Sequence, residues 1–309
     1  MDPIKDIRLG KNITASDLVG QMFEGGGFTA KKIKVGSEIF SDMINDKECF
    51  TFLSFPACTI ATGMRGVVKD LVKDRKIDAI ITTCGTLDHD FARIWKDYYQ
   101  GDFVADDEKL REKGICRLGN VFVPDDSYGI IIEKKLLPII EKIYESEKNL
   151  GTKEFIWKVG EAVKDEKGAE DSIIYWAWKN QIPIFVPGIT DGSFGFQLYM
   201  FWQDGHKDLV VNLMKDEDDL AAIVYTHKKT GALMIGGGIS KHHTIWWNQF
   251  KDGLDYAVYI TTAIESDGSL SGARLREAIS WGKVKPRAKR VTIEGDATVI
   301  LPLLVSALH

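Results

Sequence analysis

Thr51-Phe52-Leu53-Ser54, then Met64, Val67, Val68, Leu71 and Val72, then Ala79-Ile80-Ile81-Thr82-Thr83 decide the fold of this chain. The outer segments are short apolar runs, which mark strands buried on both faces. The five residues between them fall at i, i+3, i+4, i+7 and i+8, the spacing of one buried stripe on an α-helix. Similar runs recur at Ile182-Pro183-Ile184-Phe185-Val186, Ala232-Leu233-Met234-Ile235 and Tyr256-Ala257-Val258-Tyr259-Ile260, with helical patterns between them. Buried strands alternating with amphipathic helices predict an α/β fold: a Rossmann-like, doubly wound, mostly parallel sheet with helices on both faces.

No low-complexity segment, linker or repeat interrupts the pattern, so residues 19–309 are expected to form a single domain behind an N-terminal extension, residues 1–18. Ser16-Asp17 is expected to cap the first helix. The stretch from Asp102 to Ser127 mixes charge, glycine and proline and predicts a surface excursion before a helix around Leu136 to Leu150. The 309 residues are 44% hydrophobic and 28% charged, the composition of an ordinary soluble protein with a sizeable core. A net charge of −5 lacks the basic stripe of a nucleic-acid binder and weakly favours cationic partners. Cys49, Cys58, Cys84 and Cys116 have no metal-ligand spacing, and no signal peptide precedes them. They predict reduced thiols, a cytoplasmic location and no metal. The run Val299–Val305 is too short for a membrane span.

Several strands run into small residues: Ala61-Thr62-Gly63, Thr83-Cys84-Gly85 and Gly236-Gly237-Gly238. Ligands of open α/β sheets bind beyond such strand ends, where backbone N–H groups approach phosphates. The Gly-x-Gly-x-x-Gly fingerprint is absent, so tight turns without a ligand explain these ends equally well. Asp191 in Thr190-Asp191-Gly192-Ser193 and Asp296 in Gly295-Asp296-Ala297 each suit a ribose hydroxyl, a turn or a helix cap.

The richest block spans Gly236 to Val284. It holds a glycine run, His242-His243, the acids Glu265, Asp267 and Glu277, and Lys283 between Trp281-Gly282 and Val284. A lysine walled by Trp281 is expected to be partly desolvated, which lowers its pKa and frees a neutral amine for nucleophilic attack. Adjacent histidines cannot both enter one site from a helix. A single His242 fits a proton shuttle, a substrate contact or a locally bonded helix start. Trp246-Trp247 fits core or subunit interface.

These residues resemble the deoxyhypusine synthase family. The motifs are Gly236-Gly237-Gly238 with Lys241-His242-His243, Asp255-Tyr256-Ala257-Val258-Tyr259, Asp267-Gly268-Ser269 with Ser271-Gly272-Ala273-Arg274, and Ser280-Trp281-Gly282-Lys283. The resemblance runs from about residue 20 to the C-terminus. It implies an NAD-dependent aminoalkyl transferase in which Lys283 forms the imine. A homotetramer is implied too, and a lysine-bearing translation factor as partner and acceptor beside the small amine substrate. By matching motif, His242 joins Lys283 in catalysis. Asp88, His89, Gly268, Ser269, Glu277 and Trp281 contact the amine. Thr83, Cys84, Gly85, Asp191, Gly237, Thr262, Ala263, Asp296 and Ala297 hold NAD. Lys241 is set aside as nucleophile, because the family's reactive lysine belongs to the Trp-Gly-Lys motif.

Departures from the family pattern are specific. Phe196 and Leu270 stand where the family has carboxylates, His89 replaces a glutamate, and Trp246 replaces an asparagine. The cofactor loop reads Pro56-Ala57-Cys58-Thr59-Ile60-Ala61-Thr62-Gly63 in place of a serine-rich one. A hydrogen bond to a charged group is worth roughly 1.5–3 kcal/mol, so losing two carboxylates weakens a triamine about 10²–10⁴-fold. The expectation is a family-like transferase with altered amine specificity. Authentic spermidine chemistry and a catalytically silent NAD-binding scaffold are the alternatives.

Overall fold

The computed structural model describes residues 1–308. The chain divides into two compact units. Unit 1 comprises Met1–Phe55, Lys76–Ile81 and the chain from Asp219 onward; unit 2 comprises Pro56–Arg75 and Thr82–Asp218.

Unit 1 is built on strands β1 (Cys49–Phe55), β2 (Ala79–Thr82), β3 (Lys229–Ile235), β4 (Leu254–Thr261) and β5 (Val284–Glu294), in the order β5-β4-β3-β1-β2. The β1–β3, β3–β4 and β4–β5 pairs are all parallel, with Leu53 opposite Leu233, and Val258 opposite Leu233 and Val291. Its helices are α1 (Ala15–Glu24), α2 (Phe28–Asn45), α3 (Gly238–Asn248), α4 (Leu275–Ser280) and α5 (Ala297–Ser306). Val258 and Tyr259 are successive strand residues and so point to opposite faces. On Val258's side α2 lies close: a Cβ added at Gly36 would meet Ile293 at 2.7 Å, Leu304 of α5 at 3.1 Å and Val258 at 3.4 Å. On Tyr259's side α3 brings Lys241 Nζ to 3.6 Å from the ring centroid. Helices therefore cover both faces of a parallel sheet, as the apolar runs predict.

The first helix is capped by Thr14 together with Asp17 rather than by Ser16. Thr14 Oγ1 accepts from the Asp17 backbone N–H (3.1 Å), and the Asp17 carboxylate accepts from the Thr14 N–H (3.1 Å). That is a capping box, which needs a hydroxyl three residues ahead of the acid; Ser16 is too close.

In unit 2 the helix Met64–Lys73 buries Arg65, Val68, Leu71 and Val72, while Met64 and Val67 are only half-buried. The stripe turns toward Arg65 because its guanidinium donates to the fully buried Asp90 (Nε–Oδ1 2.7 Å). The 102–127 excursion contains the helix Asp107–Glu112 and strands Ile115–Leu118 and Val121–Pro124, which pair antiparallel. The following helix spans Gly129–Ser146, earlier than the expected Leu136 to Leu150, since its buried side starts at Ile131 and Ile132. The run 182–186 yields only a two-residue strand, Ile184–Phe185. Pro183 and Pro187 flank it and lack the N–H that would extend a ladder.

Candidate functional site

Three adjacent strands of unit 1 end side by side. Beyond them, Gly236 N donates to Ile260 O (2.8 Å) and Gly295 N to Thr261 O (2.8 Å). Gly237, Thr262, Ala263, Asp296 and Ala297 are thereby brought to one edge. Thr262 and Asp296 are exposed there. Of the roles open to Asp296, the helix cap is formed: its Oδ1 accepts from the Thr298 N–H (2.7 Å) and hydroxyl (2.9 Å) at the start of α5. Gly237 is required for a steric reason, because a Cβ there would lie 2.2 Å from Ser271 Oγ.

Beside this edge lies a cavity of about 350 Å³ lined by α3, α4, the turn before α4 and the turn between α4 and β5. Gly282, with φ 68°, reverses the chain from α4 into β5. This reversal places Lys283 on the same wall as Glu277 and Trp281. Lys283 is 8% exposed, and its Nζ sits 5.1 Å from the Trp281 ring centroid. Among the described residues its amine has no hydrogen-bond or ion-pair partner, and neither has the exposed carboxylate of Glu277. His242 faces the cavity and stacks on Trp246 (5.8 Å, 24°). Burial lowers its pKa, and the charge of Lys283 lowers it further. A neutral imidazole, a free amine and a free carboxylate thus line one space. That set can bind a cation, form an imine and move protons.

Lys241, set aside as nucleophile and given no other role by its motif, also lines this wall. It is 2% exposed and donates from Nζ to Leu270 O and Ala273 O, both at 2.7 Å. Burial brings its pKa down to about 7, against the pull of Glu277 and with help from Arg274 and Lys283. The signal was its position: α3 buries Ser240, Lys241, Thr244, Ile245 and Asn248, so Lys241 lies in the inward stripe. Leu270 and Trp246 also line the cavity, whereas Gly268 and Ser269 do not. They form an exposed turn in which the Ser269 hydroxyl donates to Asp267 (2.7 Å).

The remaining expected residues belong to unit 2. Thr83 precedes the helix Cys84–Ala92, and its Oγ1 accepts from Ala57 N (3.2 Å). Cys84 is fully buried, and burial pushes its thiol pKa up. Gly85 packs under the 57–61 loop; a Cβ there would come within 2.9 Å of Ala57 Cβ. The Asp191-Gly192 turn abuts this helix, since a Cβ at Gly192 would lie 2.8 Å from Cys84 Sγ and 2.7 Å from Asp88 Oδ2. Asp88, with no exposed surface, accepts from Tyr128 Oη (2.7 Å), Ser193 N (2.9 Å) and Phe194 N (2.8 Å). Both its oxygens therefore anchor the helix Ser193–Gln203, on which Phe196 is exposed. Burial raises the Asp88 pKa despite these three donors.

His89 hydrogen-bonds through Nδ1 to Tyr98 Oη (2.9 Å). Burial, aided by Arg93, lowers its pKa to about 4 from the ordinary 6.5. The unfolded chain then binds more protons than the native one between these values, so stability is full above 6.5 and falls as pH drops toward 4. His89→Phe is expected to remove about 3 kcal/mol of that acid-side loss. Urea unfolding at pH 7 and pH 4 checks this; an unchanged difference between the two pH values would refute the assignment. Among the described residues no three His, Cys, Asp or Glu side chains converge as metal ligands.

Comparison with known proteins follows the same lines. The deoxyhypusine synthase family model matches residues 17–308. A Picrophilus torridus protein named "Probable deoxyhypusine synthase" is 57% identical over 305 residues, covering 99% of this chain and 96% of the relative. A Thermoplasma volcanium protein of that name is 56% identical, with 98% and 96% covered. A solved structure from Entamoeba histolytica that bears the deoxyhypusine synthase name has a TM-score of 0.68 at 22% identity, covering 98% and 96%, and supports the fold.

Proposed function

The chain belongs to the deoxyhypusine synthase family, and from that premise we propose that it is an NAD-dependent aminoalkyl transferase whose covalent carrier is Lys283. The carrying observation is a buried lysine amine without a partner that lines one small cavity together with an unpaired carboxylate. Toward an oxidised, imine-bearing amine, Lys283 Nζ attacks the imine carbon. The bond to the departing amine breaks as the lysine C=N forms, and the departing nitrogen takes a proton. His242, held neutral, accepts and returns that proton, while Glu277 holds the cationic end of the chain. An acceptor lysine then displaces Lys283 by the same exchange.

The ledge at the ends of β3, β4 and β5 suits a dinucleotide, because exposed Thr262 after β4 and Asp296 after β5 lie to one side of the three-glycine turn that follows β3. In this reading Gly237, Thr262, Ala263, Asp296 and Ala297 hold NAD, which when bound supplies the hydride acceptor. Residues 19–309 act as one functional domain behind the 1–18 extension, in a cytoplasmic homotetramer whose acceptor is a lysine-bearing translation factor.

The donor amine is assigned an apolar rather than a doubly cationic reach, because Leu270 and Trp246 line the cavity. A second reading, unaltered spermidine use, is favoured by the 57% identity to a relative named for the family reaction. A screen of diamines, agmatine and spermidine for NADH formation separates the two. A diamine or agmatine outperforming spermidine in kcat/KM by at least about tenfold is the expected outcome. Spermidine ranking first, with label transfer to the factor, overturns the altered specificity. No NADH with any amine, from protein that binds NAD, overturns the function itself.

A further inference from the structure

Four consecutive carbonyls in the turn before α4 are each taken by a side chain. Leu270 O and Ala273 O accept from Lys241 Nζ. Ser271 O accepts from both Tyr259 Oη (2.7 Å) and Thr261 Oγ1 (2.9 Å), and Gly272 O accepts from Arg274 Nη1 (3.1 Å). Helices and strands satisfy carbonyls through the backbone; here side chains do so, and the turn's own backbone bonds, from Gly272 N (3.1 Å) and Ala273 N (3.0 Å), both converge on Ser269 O and leave these four carbonyls to the side chains. The turn also crosses the strand-end ledge, where the missing Cβ of Gly237 makes room for Ser271. It therefore joins that ledge to the Leu270 wall of the Lys283 cavity.

We propose that Lys241 is a positioning residue that latches the Leu270–Ala273 turn in place and thereby shapes the cavity for chemistry at Lys283, without itself forming a covalent bond. Its amine is the only group in this set that grips the turn at both ends. It reaches them from α3, by way of the face of the Tyr259 ring. Two acceptors match the two hydrogens of a neutral amine, so the latch does not require a charge.

The groups facing Lys241 are Tyr259 beneath it, and Glu277, Arg274 and Lys283 around it; burial and the two cations favour its neutral form, and Glu277 opposes them. The sign of the pH response follows. Opening the turn returns the amine to water, where it binds a proton up to about pH 10.4, whereas the closed turn releases that proton near 7. Raising pH above 7 therefore tightens the latch, by up to about tenfold per unit, and lowering pH below 7 has no further effect.

Hydrogen exchange of the 264–274 segment, corrected for the intrinsic rate, reads this directly in the full-length protein. Wild-type opening is expected to become rarer from pH 7 to pH 9. Lys241→Met is expected to open the turn at least about tenfold more often with no such pH dependence. Tyr259→Phe, which removes one of two donors to Ser271 O and keeps Lys241, is the milder control: a smaller opening, with the pH trend retained. The kinetic consequence rests on the proposed function. Lys241→Met should raise KM for the amine at least about tenfold while borohydride still traps the adduct on Lys283 at saturating amine. An adduct on Lys241, or lost turnover with unchanged exchange, overturns the latch. If no amine yields an adduct in wild type, the functional reading fails, and the exchange data still decide on the latch.

Discussion

Lys283→Ala is expected to lose the trapped amine adduct completely and to lower turnover by about 10⁴-fold or more, the scale seen when a covalent nucleophile is removed. The stability cost should be confined to lost packing, because the amine has no hydrogen-bond or ion-pair partner among the described residues. Lys283→Arg sharpens the test. A guanidinium keeps the charge and the contact with Trp281 but does not deprotonate, so it cannot attack an imine. Both variants should bind NAD like wild type and give no adduct by mass spectrometry after borohydride. A surviving adduct in either would move the nucleophile elsewhere.

Asp90→Ala is expected to cost about 3–5 kcal/mol in urea unfolding, since it strands a buried cation. Asp90 Oδ1 accepts from Arg65 Nε (2.7 Å) and Ile173 N (3.0 Å), while Oδ2 accepts from Ser172 Oγ (2.7 Å) and Ile174 N (2.9 Å). One carboxylate thus neutralises Arg65 and caps the helix Ile173–Asn180. Without it, the buried guanidinium keeps only carbonyl acceptors, and two helix N–H groups lose their partner. Arg65→Met alone should also be severe. The double variant should cost less than the sum, by about 1–3 kcal/mol, because the partners lie in one network. Strict additivity would show that the pair contributes nothing as a pair.

The sequence announced strands where apolar runs were uninterrupted: β1, β3 and β4 lie on the runs 51–54, 232–235 and 256–260. It concealed β5, whose Lys285, Arg287, Lys289 and Arg290 look like solvent-exposed loop. That charge suits an edge strand, which β5 is in the sheet order, because charges discourage further pairing. In the site, Lys283, Glu277, Trp281 and His242 were legible through their motifs and converge on one cavity. Lys241 and Asp90 were not, for a common reason. Their acceptors and donors lie 25 to 84 residues away in the chain, and a charged side chain read locally is assigned to water.

The segmented path of unit 1 also sets an order of events at the ribosome. β1 pairs with β3 in a register that joins Cys49 to Lys229, 180 residues later in the chain. At about 5–20 residues per second, roughly 10–40 s of synthesis separate a strand carrying Phe50, Phe52, Leu53 and Phe55 from the neighbour it needs. The last residue of unit 2 emerges before β3 does. The nascent chain must therefore shelter an apolar strand while an entire second unit is made. The cavity, whose residues lie between Lys241 and Lys283, is made only after all of unit 2.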